Sequence, residues 1–174
     1  RVRIMMSPDT APILLGDIGG THSRFAMIDR IPEPDERPQL TVFHKSNNDH
    51  YRSFDDALSD YLDSQDCKPA RAVFAVAGPV SGNAVRLTNR AWDIDGNVLS
   101  RKFAIPAILL INDFAAMARS APLLRDEEQV KICAGDAQAG HPVLVAGAGT
   151  GFGMATLVPH GKNWITISGE GGHM

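Results

Sequence analysis

Three short stretches hold groups suited to chemistry. Asn112-Asp113 follows the aliphatic run Ile108-Leu109-Leu110-Ile111. Gly16-Asp17-Ile18-Gly19-Gly20-Thr21 follows Ile13-Leu14-Leu15. Gly147-Ala148-Gly149-Thr150-Gly151-Phe152-Gly153 follows Val143-Leu144-Val145-Ala146. Glycines let successive backbone N–H groups close on a phosphate without side-chain obstruction. Asp17 could help hold Mg²⁺, directly or through water, because that ion takes carboxylate and phosphate oxygens together; a turn aspartate bonding its own backbone is the alternative. A carboxylate just past a buried strand lies where open α/β sheets bind ligands. Asp113 could therefore be a general base, or simply the N-cap of a helix. Local features leave both readings open.

Better-known phosphate motifs fail on spacing. A dinucleotide fingerprint needs a sixth-position glycine and a following helix. Counting from Gly147, that position is Phe152, and the next residues read as strand. A Walker loop needs Gly-Lys-Ser/Thr, whereas Gly161-Lys162 is followed by Asn163. Two glycine hairpins remain.

The elements that must position these groups follow from periodicity. Runs at 13–15, 24–29, 40–43, 72–77, 84–88, 108–111, 143–146, 154–158 and 164–167 read as strands, those at 72–77 and 108–111 as buried ones. Phe54, Ala57, Leu58, Tyr61 and Leu62 follow helical spacing, and Ser53 with Asp56 resembles a capping box, predicting a helix over 53–62. Shorter helices are expected over 98–103 and from Phe114 to the stop at Pro122, and the prolines at 32, 34 and 38 mark a loop. Strands mixed with helices predict an α/β protein with a mixed sheet.

Composition narrows the function classes. Among 174 residues, Lys+Arg is 17 and Asp+Glu 20, a net charge of −3 that gives no basic surplus for nucleic acid. No apolar segment approaches the roughly 20 residues needed to cross a membrane, and no apolar run follows the basic start to make a signal peptide. Cys67 and Cys133 lack metal-type spacing and read as reduced, buried thiols of a cytoplasmic protein. Trp92 and Trp164 read as packing residues.

The motifs together resemble a known family. Residues 15–21 are similar to the first phosphate motif of the sugar-kinase, actin and heat-shock ATPase superfamily, and residues 147–153 resemble its second. Asn112-Asp113-Phe114 and Gly169-Glu170-Gly171-Gly172-His173 resemble the sugar-site motifs of bacterial glucokinases, as do Gly78-Pro79-Val80 and Leu87-Thr88-Asn89-Arg90-Ala91-Trp92. The matches run in the family's order from about residue 13 onward. The resemblance implies a ribonuclease-H-like mixed sheet, with a smaller α/β domain over 1–122 and the opening strands of a larger one over 123–174.

It also implies transfer of the γ-phosphoryl of ATP, with Mg²⁺, to the 6-hydroxyl of glucose. Asp113 then matches the catalytic base. Asn112, Asp113, Glu170 and His173 match sugar ligands. Gly16, Asp17, Ile18, Gly19, Gly20, Thr21, Gly149, Thr150 and Gly151 match the ATP-binding loops, with Asp17 reaching the metal through water. A homodimer is allowed. The family pattern carries roughly as much chain again beyond His173, so residues 1–174 alone are expected to be inactive. Alternatives are a kinase of a related sugar, one using polyphosphate, or a noncatalytic sugar sensor. The sensor reading is weakened because only about a dozen residues precede Leu14, too few for a helix-turn-helix.

Overall fold

The apolar runs at 13–15, 72–77 and 108–111 become three neighbouring parallel strands. The computed structural model describes residues 12–33, 36–87, 90–136, 138–148, 152–161 and 163–170. In it the chain divides into two compact units, Arg1–Asp113 and Phe114–Met174.

The first unit is built on a five-stranded mixed sheet. Its strands are β1 (Ile13–Ile18), β2 (His22–Ile28), β3 (Thr41–Asn47), β4 (Arg71–Val76) and β7 (Ala107–Asn112), in the order β3-β2-β1-β4-β7. β1 pairs antiparallel with β2 and parallel with β4, which pairs parallel with β7. The expected mixed α/β sheet is thus present. A small hairpin, β5 (Ala84–Arg86) with β6 (Asp93–Asp95), lies outside the main sheet.

Helix α1 (Phe54–Asp63) starts at Ser53, whose hydroxyl accepts from the Asp56 N–H while the Asp56 carboxylate accepts from the Ser53 N–H. This is the capping box read from the sequence, and it satisfies two orphan donors at once. Helix α2 (Gly96–Phe103) begins two residues earlier than its apolar residues suggest, because Asp95 caps it through the N–H groups of Asn97 and Val98. The core between sheet and helices is aromatic. Phe25 stacks on Tyr61 at 5.0 Å between centroids, Phe54 meets Phe74 edge-on at 5.3 Å, and Trp92 closes the cluster against Phe54.

Two expectations need correcting. The 108–111 run is not buried on both faces: Ile108 and Leu110 are buried, but Leu109 is 52% exposed. β7 is the last strand of its sheet, with Ile108 and Leu110 packed among Leu99 and Ile105, so the run alternates as a half-covered strand does. Both cysteines are exposed rather than buried, since each stands in a connecting segment instead of an element. Trp92, by contrast, is 3% exposed and packs as expected.

The second unit contains most of α3 (Asp113–Ser120) and an antiparallel meander of β8 (Val143–Ala148), β9 (Phe152–His160) and β10 (Asn163–Glu170). Its buried core is small, made of Ala118, Ala155 and Leu157 with Phe114, Val145 and Trp164 partly buried around them.

Candidate active site

Parallel pairing puts the carboxyl ends of β1, β4 and β7 at one edge of the sheet. Ile18 stands opposite Val76, and Val76 opposite Asn112, so the three form one row. Strands lie about 4.8 Å apart, which sets the backbones of Ile18 and Asn112 about 10 Å from each other. The turn after β1, Gly78 after β4 and Asn112-Asp113 therefore share one rim.

Asn112 ends β7 and is 9% exposed. Its Nδ2 donates to the Gly78 carbonyl at 3.1 Å and to Asp113 Oδ1 at 3.0 Å. One amide thus ties the rim of β4 to the carboxylate of Asp113. Gly78 has φ +138°, a conformation that favours glycine. Asp113 is the first residue of α3, where a carboxylate is stabilised by the positive end of the helix dipole.

The first glycine stretch splits into two parts. Gly16, Asp17 and Ile18 lie within β1, and only Gly19, Gly20 and Thr21 make the turn to β2. A Cβ on Gly16 would come within 2.6 Å of Phe74 Cδ1, so this glycine makes room for a ring. Ile18 is fully buried. Asp17 faces Arg24 across the β1–β2 ladder and is ion-paired with it, both side chains being about half exposed. Among the described residues no three His, Cys, Asp or Glu side chains are grouped to hold a metal ion.

The second glycine stretch is the β8–β9 hairpin. Gly147 pairs with Gly153 across it, and a Cβ on either would strike the Phe114 ring, at 3.1 and 2.0 Å. Gly149, Thr150, Gly151 and His173 lie outside the described residues, as does the side chain of Glu170. The Glu170 backbone ends β10, opposite Gly153.

Three residues of the first unit were given no role from sequence, although Arg90 lies in the motif at 87–92. Asn48, fully buried, donates Nδ2 to the Gly19 carbonyl at 2.8 Å, and Arg90 Nε donates to the Gly20 carbonyl at 3.1 Å. Asn83 pairs with β7 like a strand: its Nδ2 donates to the Ile108 carbonyl at 2.9 Å, and its Oδ1 accepts from the Leu110 N–H at 2.8 Å. The Gly82-Asn83 dipeptide is a hairpin signal, and both residues have positive φ, but only the fold shows which strand edge the amide covers.

The chain is similar to known proteins over most of its length. The Glucokinase family model matches residues 14–174. A curated glucokinase of Nitrobacter hamburgensis is 40% identical over 166 residues, covering 94% of this chain and 50% of that protein. The crystal structure of a glucokinase from an Antarctic psychrotroph matches at 38% identity with a TM-score of 0.80, covering 94% of this chain and 51% of that one. A glucokinase from Balamuthia mandrillaris, solved in complex with glucose, shares the fold at 23% identity and a TM-score of 0.63. The chain spans about half the length of the curated relatives it matches.

Proposed function

The chain belongs to the glucokinase family, and we propose that the whole protein transfers the γ-phosphoryl of ATP to the 6-hydroxyl of glucose. The observation that carries this reading is the shared rim: an anchored carboxylate, Asp113, on the same sheet edge as a glycine turn whose side-chain partners hold its carbonyls.

Phosphoryl transfer passes through a loose, in-line transition state, so positioning and charge stabilisation supply most of the catalysis. In the proposed mechanism Asp113 accepts the proton of the attacking 6-hydroxyl as the new O–P bond forms. Asn112 holds that carboxylate in place through Nδ2 and matches a sugar ligand, its amide carrying both donor and acceptor groups. Backbone N–H groups of Gly20 and Thr21 donate to phosphate oxygens, with Gly19 shaping the turn, and Gly149, Thr150 and Gly151 match the second ATP-binding loop. Glu170 and His173 complete the set of sugar ligands. Bound magnesium would neutralise charge on the phosphates, with Asp17 meeting it through water. The domain reading, 1–122 as the smaller domain and 123–174 as the opening of the larger, belongs to this proposal, as do a cytoplasmic location and an allowed homodimer. Among the described residues no helix is long and apolar enough to cross a membrane.

The test is a coupled assay of the whole protein with MgATP and a sugar panel. Glucose 6-phosphate formed stoichiometrically with ADP is the expected result. ATP consumption only with another sugar moves the assignment to that sugar, and none with any sugar overturns it.

A further inference from the structure

We propose that Asn48 and Arg90 are positioning residues that hold the Gly19–Thr21 turn in its phosphate-receiving form; this rests on reading that turn as a phosphate loop. Three successive carbonyls of the turn are each engaged from one side. The Gly19 carbonyl accepts from Asn48 Nδ2 at 2.8 Å, that of Gly20 from Arg90 Nε at 3.1 Å, and that of Thr21 from the Asn48 backbone N–H at 2.9 Å. In a trans peptide the N–H of the next residue points opposite the C=O. Fixing the carbonyls of Gly19 and Gly20 therefore turns the N–H groups of Gly20 and Thr21 the other way. Neither N–H has an acceptor within the described residues, whereas the Gly19 N–H is closed onto the His22 carbonyl.

The clamp is itself held. Asn48 Oδ1 accepts from the buried Ser23 hydroxyl at 2.7 Å, which fixes the amide so that Nδ2 faces the turn. Arg90 lays its guanidinium over Trp92, 5.0 Å from the ring centroid, donates Nη1 to the Asn48 carbonyl at 3.0 Å, and pairs Nη2 with Asp49. All three of its nitrogens are thus committed to protein acceptors. Arg90 is thereby set to shape the loop. A lysine keeps the charge but cannot span the Gly20 and Asn48 carbonyls and Asp49 with one ammonium.

The test uses the whole protein. Arg90→Lys, and Arg90→Met, which keeps the stem over Trp92, are expected to raise the KM for ATP about tenfold, the usual consequence of losing a hydrogen bond to a charged group. The KM for glucose should stay within about twofold, since no sugar contact is removed. Exchange of the Gly19 amide, the turn's bonded N–H, should quicken. Unchanged ATP KM and unchanged exchange in a folded variant, or equal rises in both KM values, would overturn the proposal. A measurement on the unaltered protein is independent of variant folding and of sugar turnover. Pyrophosphate should shift the amide resonances of Gly20 and Thr21, and no shift would overturn the loop's role. Absence of glucose turnover with those shifts intact would instead remove only the glucokinase reading.

Discussion

The two glycine-rich hairpins look alike as sequence and differ in what supports them. The first sits on the sheet of the first unit, backed by Phe25, Phe54 and Phe74, with Asn48 and Arg90 holding its turn. The second connects β8 and β9 over a core of three small or medium residues, and Ile165 and Ile167 on the neighbouring strand are about half exposed. Yet both stretches spend glycines in the same way. Gly16 yields to Phe74, and the pair Gly147–Gly153 yields to Phe114. The strand glycines of both motifs therefore admit an aromatic ring.

Each unit contains one of the two tryptophans, Trp92 in the first and Trp164 in the second, so the comparison can be broken experimentally. In denaturant titrations of single-tryptophan variants, Gly16→Ala should destabilise the Trp92-reported transition by about 1–3 kcal/mol, because the fully buried Phe74 ring has nowhere to move. Gly153→Ala makes a closer clash, with the partly buried Phe114, but should leave the Trp92 transition within about 0.5 kcal/mol. Equal effects of both on Trp92 would show that the units unfold as one.

A smaller effect is expected at the strand edge. Asn83→Ala leaves the Leu110 N–H and Ile108 carbonyl without their side-chain partner and should cost about 1–2 kcal/mol, again reported by Trp92. No change in midpoint would mean that water replaces the amide without loss.

The smallest concerns pH. The two tyrosines both belong to the first unit. Burial raises the Tyr61 phenol above its ordinary value, and the hydrogen bond to Asp60 raises that of Tyr51. A group raised on folding contributes stability that is present below its unfolded value and lost as pH climbs through the folded one. The unfolded value is 10.0, so the Trp92 transition should weaken as pH rises above that. A midpoint that stays flat in this range would contradict the assignment.

How far the sequence could be read follows from what each signal encodes. The α1 helix and its capping box were legible because spacing and cap chemistry are local. So were the strands carrying the site, and the two glycine hairpins. The exposure of Leu109 was not, because an aliphatic run does not say whether its strand is central or last in the sheet. β6 escaped notice because three residues carry no period. The roles of Asn48, Asn83 and Arg90 were illegible for a different reason: each acts on a carbonyl or strand far away in the chain, through contacts that only the fold creates. Asp113 stood open between cap and base. It begins α3 with its carboxylate held by Asn112, which suits either role.

That choice is the centre of the account, and one variant tests it most directly. Asp113→Ala in the whole protein should lower kcat by about 10²–10⁴, the usual worth of a general base, while glucose still binds. Near-normal turnover by that variant in a coupled glucose 6-phosphate assay would contradict the assignment and leave Asp113 as a helix-end residue.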